Sequence, residues 1–544
     1  MRNHFQITSK EWRWAIIAAL AVLGLTTLPY LAGYVSQTPE AAFRGTVYDY
    51  LDYFHHLGDL NQGARGSWSY ELLTTAEPHP GALIRLPHLA IGQLAGLLGL
   101  SSSLTYQVAR LVFGMAALLS MYRFSASILR PIPHRFVAFP LFALGSGLGW
   151  LQIAVGWLPD PGISPVDFWL IDPYGFFGLH TFAHFAIALW LLLEVMIRLP
   201  RYMEMGGGQD LLMGLAAGLG LGVVQPTAPL IALSTIGLYV GWRSISARKL
   251  DRLGAWAILL LGLIQLPVFT YYLWLFGSHP VWQAFLEQNV TLSPPPLYYL
   301  MGLGVLAPFA VWGLYLSVRR PRTDKWRLAA AWAVAALFLA YLPVAFQRRF
   351  TLGLMAPISI LAAIGFNYGL LPWLRGIRHP PIVAARWRRY RFMAGVVLVL
   401  VASISSLTLV LSGSTSVLST DSELFVPSDL IASIDWLDAN HQWSDPIFAA
   451  ERTGQAIVAR IGHRVHLAHP VETVDYHRKL ENVLAFYSLD ATDADRRAQL
   501  VECGCKLVVY GPHERALGEW DPNMAWFLEE IYRNGKVVIL KAVQ

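Results

Sequence analysis

The acidic residues in the apolar part of this sequence are concentrated in one short stretch. Of the sixteen Asp and Glu residues among the first 412 positions, five lie between Arg44 and Gly81. Carboxylates and imidazoles act as general bases and acids near neutral pH, and this stretch contains both. We therefore expect the chemistry of the chain to take place here. Its ionisable candidates are Asp49, Asp52, Asp59, Glu71, Glu77, His55, His56 and His79.

Asp49 and Asp52 lie three positions apart in VYDYLDYF, so on a helix they would share one face. Such a pair could orient a sugar hydroxyl, act as a general base or hold a divalent cation. The alternative is a solvated polar face of an interfacial helix whose tyrosines lie at the lipid headgroups. We favour Asp52 as the catalytic carboxylate, with Asp49 second, because Asp52 lies further into the aromatic cluster and close to His55.

His55, Glu77 and His79 of the same stretch are candidates for substrate binding. His55 and the adjacent His56 could be ligands or general acids, but neighbours on a helix point about 100° apart, so one metal is not expected to bind both. Glu77 and His79, in TAEPHPG, either line the same site or cap a rigid turn.

Further candidates lie later in the chain. His180 and His184 have the i, i+4 spacing of metal ligands, but the stretch reads HTFAH and lacks the Glu of H-E-x-x-H. They either face a substrate cavity or lie at the membrane interface. Asp172 is a further outer acid, with a loop turn as its alternative role.

Arg348 and Arg349 lie at the outer end of a predicted span, where the topology disfavours positive charge. Guanidinium groups bind phosphate in a bidentate manner, so a lipid-phosphate site would explain their position. The alternative is that both side chains extend to the headgroups.

The composition indicates a polytopic membrane protein, with 55% hydrophobic and 14% charged residues. Residues 413–544 have a net charge of −7 and the remainder +13. The basic excess lies in short loops, so it indicates topology rather than nucleic-acid binding. Cys503 and Cys505 are too few for a zinc site, and we interpret them as structural thiols, with a disulfide or redox role as the alternative.

The basic loops predict the topology. Trp14–Tyr34 is an uncleaved first span whose basic flank places the N-terminus in the cytoplasm. The loop at 35–81 is then outside, and Ala82–Leu100 is an interfacial helix, since crossing here would place every later basic turn outside. Ten more spans follow and place the C-terminus outside: 103–128, 136–157, 178–198, 210–224, 226–242, 254–276, 297–317, 327–345, 353–373 and 392–412.

Residues 413–544 change character and predict a soluble extracytoplasmic α/β domain after the membrane module of residues 1–412. Strands are expected at PIFAA, RVHLA, KLVVYG and KVVILKAV, and helices at DLIASIDWLDAN, TVDYHRKLENVLAFYSL, DADRRAQLVECG and NMAWFLEEIYRNG. This alternation favours a largely parallel sheet. The tail has no G-x-G-x-x-G, P-loop or nucleophile elbow, so we expect no catalytic residue in it.

The whole pattern resembles the GT-C superfamily of polytopic membrane glycosyltransferases, in particular bacterial relatives of the protein-mannosyltransferase and arabinosyltransferase type. The features that carry the resemblance are VYDYLDYF directly after the first span, the interfacial segment, the many spans and the outer tail. The resemblance implies that Asp52 or Asp49 is the base or a metal ligand. The spacing D-x-x-D differs from the D-x-D or E-x-D of the metal-using members, so the use of Mg²⁺ or Mn²⁺ stays open.

The resemblance also implies a reaction and its partners. The chain would take a sugar from a polyprenyl-phosphate donor at the outer face of the plasma (inner) membrane and transfer it, with inversion, to a glycan, lipid or protein acceptor of the cell envelope. Arg348 and Arg349 would then contact the donor phosphate. Membrane lipids are further partners, and nucleic acid is not one.

Two other classes of function are consistent with many spans. A coupled transporter or flippase usually has ionisable groups at mid-membrane, but no Asp or Glu lies in the middle of a predicted span; Glu194 is close to a cytoplasmic end. A non-catalytic GT-C relative in envelope assembly is the other alternative.

Overall fold

The computed structural model describes residues 7–160, 162–376, 386–419 and 423–543. The chain divides into two compact units. The first, called the helical unit, consists of Met1–Leu28, Arg110–Phe269 and Thr291–Ser412. The second, called the loop-and-tail unit, consists of Pro29–Ala109, Thr270–Val290 and Gly413–Gln544. The predicted first loop therefore belongs to the same unit as the tail, and the division into a membrane module and a soluble domain stays a prediction.

The chain is a mostly helical multi-pass membrane protein. Among the described residues, six helices are long and apolar enough to cross a membrane, and the number rises to nine if each of three bent pairs is one span. The six are Ser9–Val35, Ser102–Ile128, Ala183–Met205, Ala228–Ala247, Arg252–Ser278 and Met355–Gly376. The bent pairs are Ile132–Leu144 with Gly149–Val155, Pro296–Leu303 with Leu306–Arg319, and Trp387–Ala402 with Ile404–Leu418.

Two predicted spans correspond to shorter helices, Gly208–Val224 and Lys325–Leu339, of 17 and 15 residues. The total of eleven spans and their orientation therefore stay predictions. Part of the last basic turn, residues 377–385, lies outside the described residues. Shorter segments complete the helical unit: Gly175–Thr181 and the 3₁₀ turns Val166–Phe168 and Gln347–Thr351.

The predicted first loop folds as a helix held between other elements of its own unit. This helix, Tyr50–Ala64, packs against Leu86–Leu98 and against Glu451–Ile461 of the tail. The approach to Leu86–Leu98 requires glycine, since a Cβ at Gly63 would lie 2.2 Å from the carbonyl oxygen of Leu89. Loop and tail also pair directly, because β1 (Ala41–Phe43) is antiparallel to β2 (Phe425–Pro427). A short helix, Pro280–Gln288, belongs to the same unit.

The tail contains a small mixed sheet. Its strands are β3 (Ile447–Phe448), β4 (Leu507–Tyr510), β5 (Leu528–Asn534) and β6 (Val537–Ala542), in the order β3-β4-β6-β5. Only β3 and β4 are parallel among these pairs, so the prediction of a largely parallel sheet is wrong. The helices of the tail are Ser428–Asn440, Glu451–Ile461, Tyr476–Tyr487, Asp493–Cys503 and Pro512–Arg515, with a 3₁₀ turn at Pro522–Met524.

The last predicted helix of the tail, NMAWFLEEIYRNG, is also wrong, because most of it forms β5. Asn534 pairs with Val537, so the two residues between them form a tight turn to β6. Gly535, at the first of these two positions, has φ 54°, which glycine adopts without strain and which a two-residue hairpin turn requires there. Cys503 and Cys505 form a disulfide, so their interpretation as free structural thiols is wrong as well.

Candidate functional site

Arg85 binds two carboxylates in the loop-and-tail unit. Its Nη2 lies 2.6 Å from Oε1 of Glu472, and its Nη1 lies 3.3 Å from Oδ2 of Asp59. The side chains of Asp59 and Glu472 are only 1% and 6% exposed. Burial raises the pKa of both carboxyls, and the Arg85 charge opposes this rise. We call these three residues the arginine cluster.

The three members come from separate elements. Asp59 lies on the helix Tyr50–Ala64, and Arg85 precedes the helix Leu86–Leu98 with a left-handed φ of 52°. Glu472 lies in a turn of the tail that is closed by the amide of Thr473 on the carbonyl oxygen of His469 at 2.9 Å. The hydroxyl of Thr74 donates to the carbonyl oxygen of Glu472 at 3.0 Å and so fixes this turn against the loop.

His55 and His56 both face the arginine cluster. Nε2 of His55 lies 3.4 Å from Asp59 and 3.5 Å from Glu472, and 2.9 Å from the hydroxyl of Tyr70. Arg85 donates to Nδ1 of His56 at 3.2 Å. Burial and the nearby Arg85 hold the pKa of His55 well below its ordinary value, so this imidazole is neutral.

Asp52 lies on the same helix and contacts the tail. Its Oδ1 is 3.1 Å from Nε2 of His469. The backbone amides of Val471 and Glu472 donate to Nδ1 of His469 at 3.1 and 3.2 Å. Nδ1 therefore acts as an acceptor, and Nε2 carries the proton that is donated to Asp52. Burial lowers the pKa of His469, but the hydrogen bond to Asp52 and the Asp52 charge outweigh this effect, so the pKa is raised. The Asp52 side chain is 40% exposed and that of His469 6%, so an accessible carboxylate is held by a buried imidazole.

Asp49 does not share a helical face with Asp52, and this prediction is wrong. The helix begins at Tyr50, and Asp49 precedes it in a left-handed conformation with φ 48° and ψ 51°. Its carbonyl oxygen accepts the first helical hydrogen bond, from the amide of Tyr53 at 3.1 Å. Asp49 therefore lies just outside the helix on which the shared face was predicted.

Glu77 and His79 have partners typical of a structural role. Lys479 of the tail donates to Glu77 at 2.6 Å, and this cation more than offsets the effect of burial, so the pKa of Glu77 is lowered. His79 accepts from the amide of Leu72 at 2.9 Å and donates through Nδ1 to the carbonyl oxygen of Glu77 at 2.7 Å. Both ring nitrogens therefore stabilise the turn, in agreement with the alternative that Glu77 and His79 cap a rigid turn. The last loop acid, Glu71, pairs with Arg464 at 2.6 Å.

In the helical unit, Asp172 lies beside one of the two predicted phosphate ligands. Nη1 of Arg349 is 3.9 Å from Oδ1 of Asp172, and their side chains are 26% and 4% exposed. The guanidinium carbon of Arg348 lies 5.4 Å from the centre of the Trp169 ring, a cation–π distance. Asp172, Arg348 and Arg349, which the sequence analysis considered separately, thus lie close together in the structure.

His180 and His184 do not form a helical pair. The helix Gly175–Thr181 ends at Phe182, whose extended backbone (φ −126°, ψ 133°) separates it from Ala183–Met205. His180 is buried and donates through Nδ1 to the carbonyl oxygen of Thr26 at 2.8 Å. The break removes the i, i+4 geometry on which the metal spacing depended.

The loop acids do not fit a closed divalent-cation site. Among the described residues, neither Asp49 nor Asp52 belongs to a group of three His, Cys, Asp or Glu side chains with ligand atoms within 4.8 Å of one another. The buried acids Asp59 and Glu472 already bind Arg85, whose charge would repel a cation. We therefore assign no step to a metal.

Sequence reasoning missed two residues of this site, His469 and Glu472. They lie in the tail, where no catalytic residue was expected; the contacts with Asp52 and Arg85 do not test that expectation, and it stays a prediction. The signal in the sequence is the run HRVHLAHPVE, with a histidine at every third position.

No protein-family model and no curated protein matches this sequence. Solved structures do. The Archaeoglobus fulgidus oligosaccharyltransferase, tethered with an acceptor peptide containing the NVT sequon, is 12% identical with a TM-score of 0.53, over 92% of this chain and 69% of that one. The same protein in complex with Zn and sulfate matches with the same identity and TM-score, over 95% and 71%.

The arabinofuranosyltransferase AftD from Mycobacteria is 16% identical with a TM-score of 0.53, over 99% of this chain. The match covers 42% of AftD, so this chain spans less than half of that protein. Over nearly its whole length the chain therefore shares the fold of these solved glycosyltransferases, and the resemblance in fold that was expected from the sequence is confirmed.

Arg85→Met should destabilise the protein by about 3–5 kcal/mol, because it leaves two buried carboxylates without their cation. The control is Arg460→Met, whose ion pair with Asp435 is 49% exposed on both sides and should contribute less than about 1 kcal/mol. Denaturant unfolding of the purified protein in detergent measures both. Equal effects of the two substitutions would contradict the structural importance of the arginine cluster.

Proposed function

We propose that this chain is a membrane glycosyltransferase. It transfers a sugar from a polyprenyl-phosphate donor to an acceptor of the cell envelope, with inversion at the anomeric carbon and with Asp52 as the general base. The observation that carries the proposal is the accessible Asp52 carboxylate, held by the buried His469, on the first helix after the first span of a GT-C fold. The sugar, a hexose or a pentose, is left open.

The choice of Asp52 follows from comparison with the other acids of the loop. Asp59 is 1% exposed and binds Arg85, so it has neither access to a substrate nor a free charge. Glu71 and Glu77 pair with Arg464 and Lys479. Asp52 is 40% exposed and accepts a hydrogen bond from Nε2 of the buried His469, which orients the carboxylate and favours its ionised form.

In the proposed step, the acceptor hydroxyl gives its proton to Asp52 while its oxygen attacks the anomeric carbon. The bond between that carbon and the phosphate oxygen breaks, and the bonding electrons leave with the polyprenyl phosphate. His469 acts as a positioning residue because it contacts Asp52 and not the reacting atoms. General-base assistance of this kind contributes roughly 10²–10⁴ in rate.

Arg348 and Arg349 are proposed to contact the donor phosphate. The support is the partly exposed Arg349 guanidinium beside the buried Asp172, since a carboxylate on one edge can orient a guanidinium and leave its other edge for phosphate. The Arg348 guanidinium lies over the face of the Trp169 ring, and this contact restricts its orientation. Both arginines would neutralise the charge that develops on the leaving group.

We place the reaction at the outer face of the plasma (inner) membrane, with the N-terminus in the cytoplasm and the tail outside. The support is the agreement of the basic turns between spans. The assay for the function is therefore transfer from a lipid-linked donor in right-side-out vesicles to a membrane-impermeant acceptor added outside.

Asp52→Asn keeps the size of the side chain and removes the base, so transfer in this assay should fall by roughly 10²–10⁴ while donor binding persists. The control is Asp435→Asn, an exposed tail acid on the helix Ser428–Asn440, which should leave the rate unchanged. If Asp52→Asn and Asp49→Asn both keep full activity, the base lies elsewhere. Absence of any transfer by the wild-type protein would favour a transporter, flippase or non-catalytic relative.

Replacing Arg348 and Arg349 together by alanine should weaken donor binding, because each charge-assisted contact contributes about 1.5–3 kcal/mol, roughly 10- to 150-fold. Lysine at both positions should restore only part of the affinity, since it is a point charge rather than a fork. Titration of the purified variants with the lipid donor measures this. Arg201→Ala, an arginine of the same unit that pairs with Asp210, is the control. Unchanged affinity in the double variant would disprove the contact.

A further inference from the structure

A cavity of about 530 Å³ lies among three segments of the helical unit. Its walls are the helix Ile132–Leu144, the π-helical turn Gly365–Leu370 and the helix Trp387–Ala402. The volume is in the range of small-molecule sites, and π-helical turns are frequent at functional sites. Most of the lining is apolar, including Phe136, Phe366, Phe392, Val396 and Leu400.

Two arginines line the same cavity. Arg388 and Arg391 are three positions apart near the start of the helix Trp387–Ala402, so they lie on one face of it. Among the residues that the structure describes, no carboxylate oxygen lies within the 4.0 Å ion-pair distance of either guanidinium. By contrast, Arg243 of the same unit pairs with Asp251 at 2.9 Å.

The position of these arginines on the helix makes a bound anion favourable. The first turn of a helix carries the positive end of its dipole, where cations are destabilising and anions stabilising. Arg388 and Arg391 add positive charge to this end, and no described carboxylate compensates it. The positive charge at this end of the cavity therefore favours binding of an anion, and the apolar walls favour a hydrocarbon chain attached to that anion.

The length of the cavity wall selects among anionic lipids. From Arg388 to Leu400 the helix rises roughly 18 Å at 1.5 Å per residue. One leaflet of a bilayer has a hydrocarbon thickness of roughly 15 Å, half of the usual core. The wall thus matches an ordinary acyl chain, whereas a longer polyprenyl chain would extend beyond it.

We propose that this cavity binds one anionic glycerophospholipid, with its phosphate at Arg388 and Arg391 and an acyl chain along the apolar wall. The site is separate in chemistry from the donor contacts proposed for Arg348 and Arg349, because its ligand is not consumed. Its polar end lies at the start of the helix Trp387–Ala402, so the lipid belongs to the leaflet on that side. A bound lipid of this kind would pack against Ile132–Leu144 and Trp387–Ala402 together.

The test uses the full chain, purified and delipidated in detergent, with phosphatidylglycerol and phosphatidylcholine as probes. Native mass spectrometry measures the affinity of each lipid, and photoactivatable versions locate it by peptide mapping. Phosphatidylglycerol should bind at least tenfold more tightly than phosphatidylcholine and label residues 387–400. The double variant Arg388→Gln/Arg391→Gln should lose this tenfold preference.

Two further variants separate charge from shape. Arg386→Gln/Arg389→Gln removes the same charge from the same turn but does not line the cavity, so it should change the affinity less than threefold. Gly395→Leu keeps both arginines and extends into the cavity, since a Cβ there would lie 3.4 Å from Cγ2 of Val137. It should also lower the affinity for phosphatidylglycerol at least tenfold.

Three outcomes would overturn the proposal. The first is equal binding of the two lipids. The second is an equal loss of affinity in the two double-arginine variants, which would indicate general surface attraction. The third is labelling of residues 387–400 by a photoactivatable polyprenyl phosphate in preference to phosphatidylglycerol.

Discussion

The structure of the loop-and-tail unit depends on one guanidinium, that of Arg85, which pairs with two buried carboxylates. Buried charges are costly unless they are paired, and removing one partner costs more than the pair contributes. Arg85 lies 2.6 Å from Glu472 and 3.3 Å from Asp59. Arg85 directly precedes the helix Leu86–Leu98, Glu472 belongs to the tail, and Asp59 lies on the loop helix Tyr50–Ala64. The three elements must therefore pack together, because each of these charged side chains would be costly at its position without its partners.

The same constraint positions Asp52. The turn that carries Glu472 to Arg85 also carries His469, three residues earlier, to the carboxylate of Asp52. The Asp52 side chain is 40% exposed and accepts a hydrogen bond from the imidazole of His469. The residues that contact Arg85 and Asp52 thus share one turn of the tail, which explains why a segment without a recognisable motif belongs to the candidate site.

The sequence allowed part of this arrangement to be predicted. The scarcity of acids singled out the loop, and VYDYLDYF, the interfacial segment, the many spans and the tail together indicated the fold that the solved glycosyltransferases share. The catalytic role of Asp52 stays a prediction. The pairing of Asp52 with His469 was beyond reach, since 417 positions separate them and no local pattern links them. The errors at Asp49, His184 and residues 528–534 are of another kind. They arise where one residue leaves the helical conformation, at Asp49 itself and at Phe182, or where the tight turn at Gly535 directs an ambiguous apolar run into a hairpin.

A double-mutant cycle between Asp52 and His469 tests most directly whether loop and tail form one catalytic centre. The initial rate of sugar transfer is measured for Asp52→Asn, for His469→Gln and for the combined variant, with donor binding as a check on folding. If His469 acts only by holding Asp52, His469→Gln alone is slow, and adding it to Asp52→Asn causes no further loss. Rate losses that multiply in the combined variant would mean that the two residues act independently, and would contradict a single catalytic centre built from loop and tail.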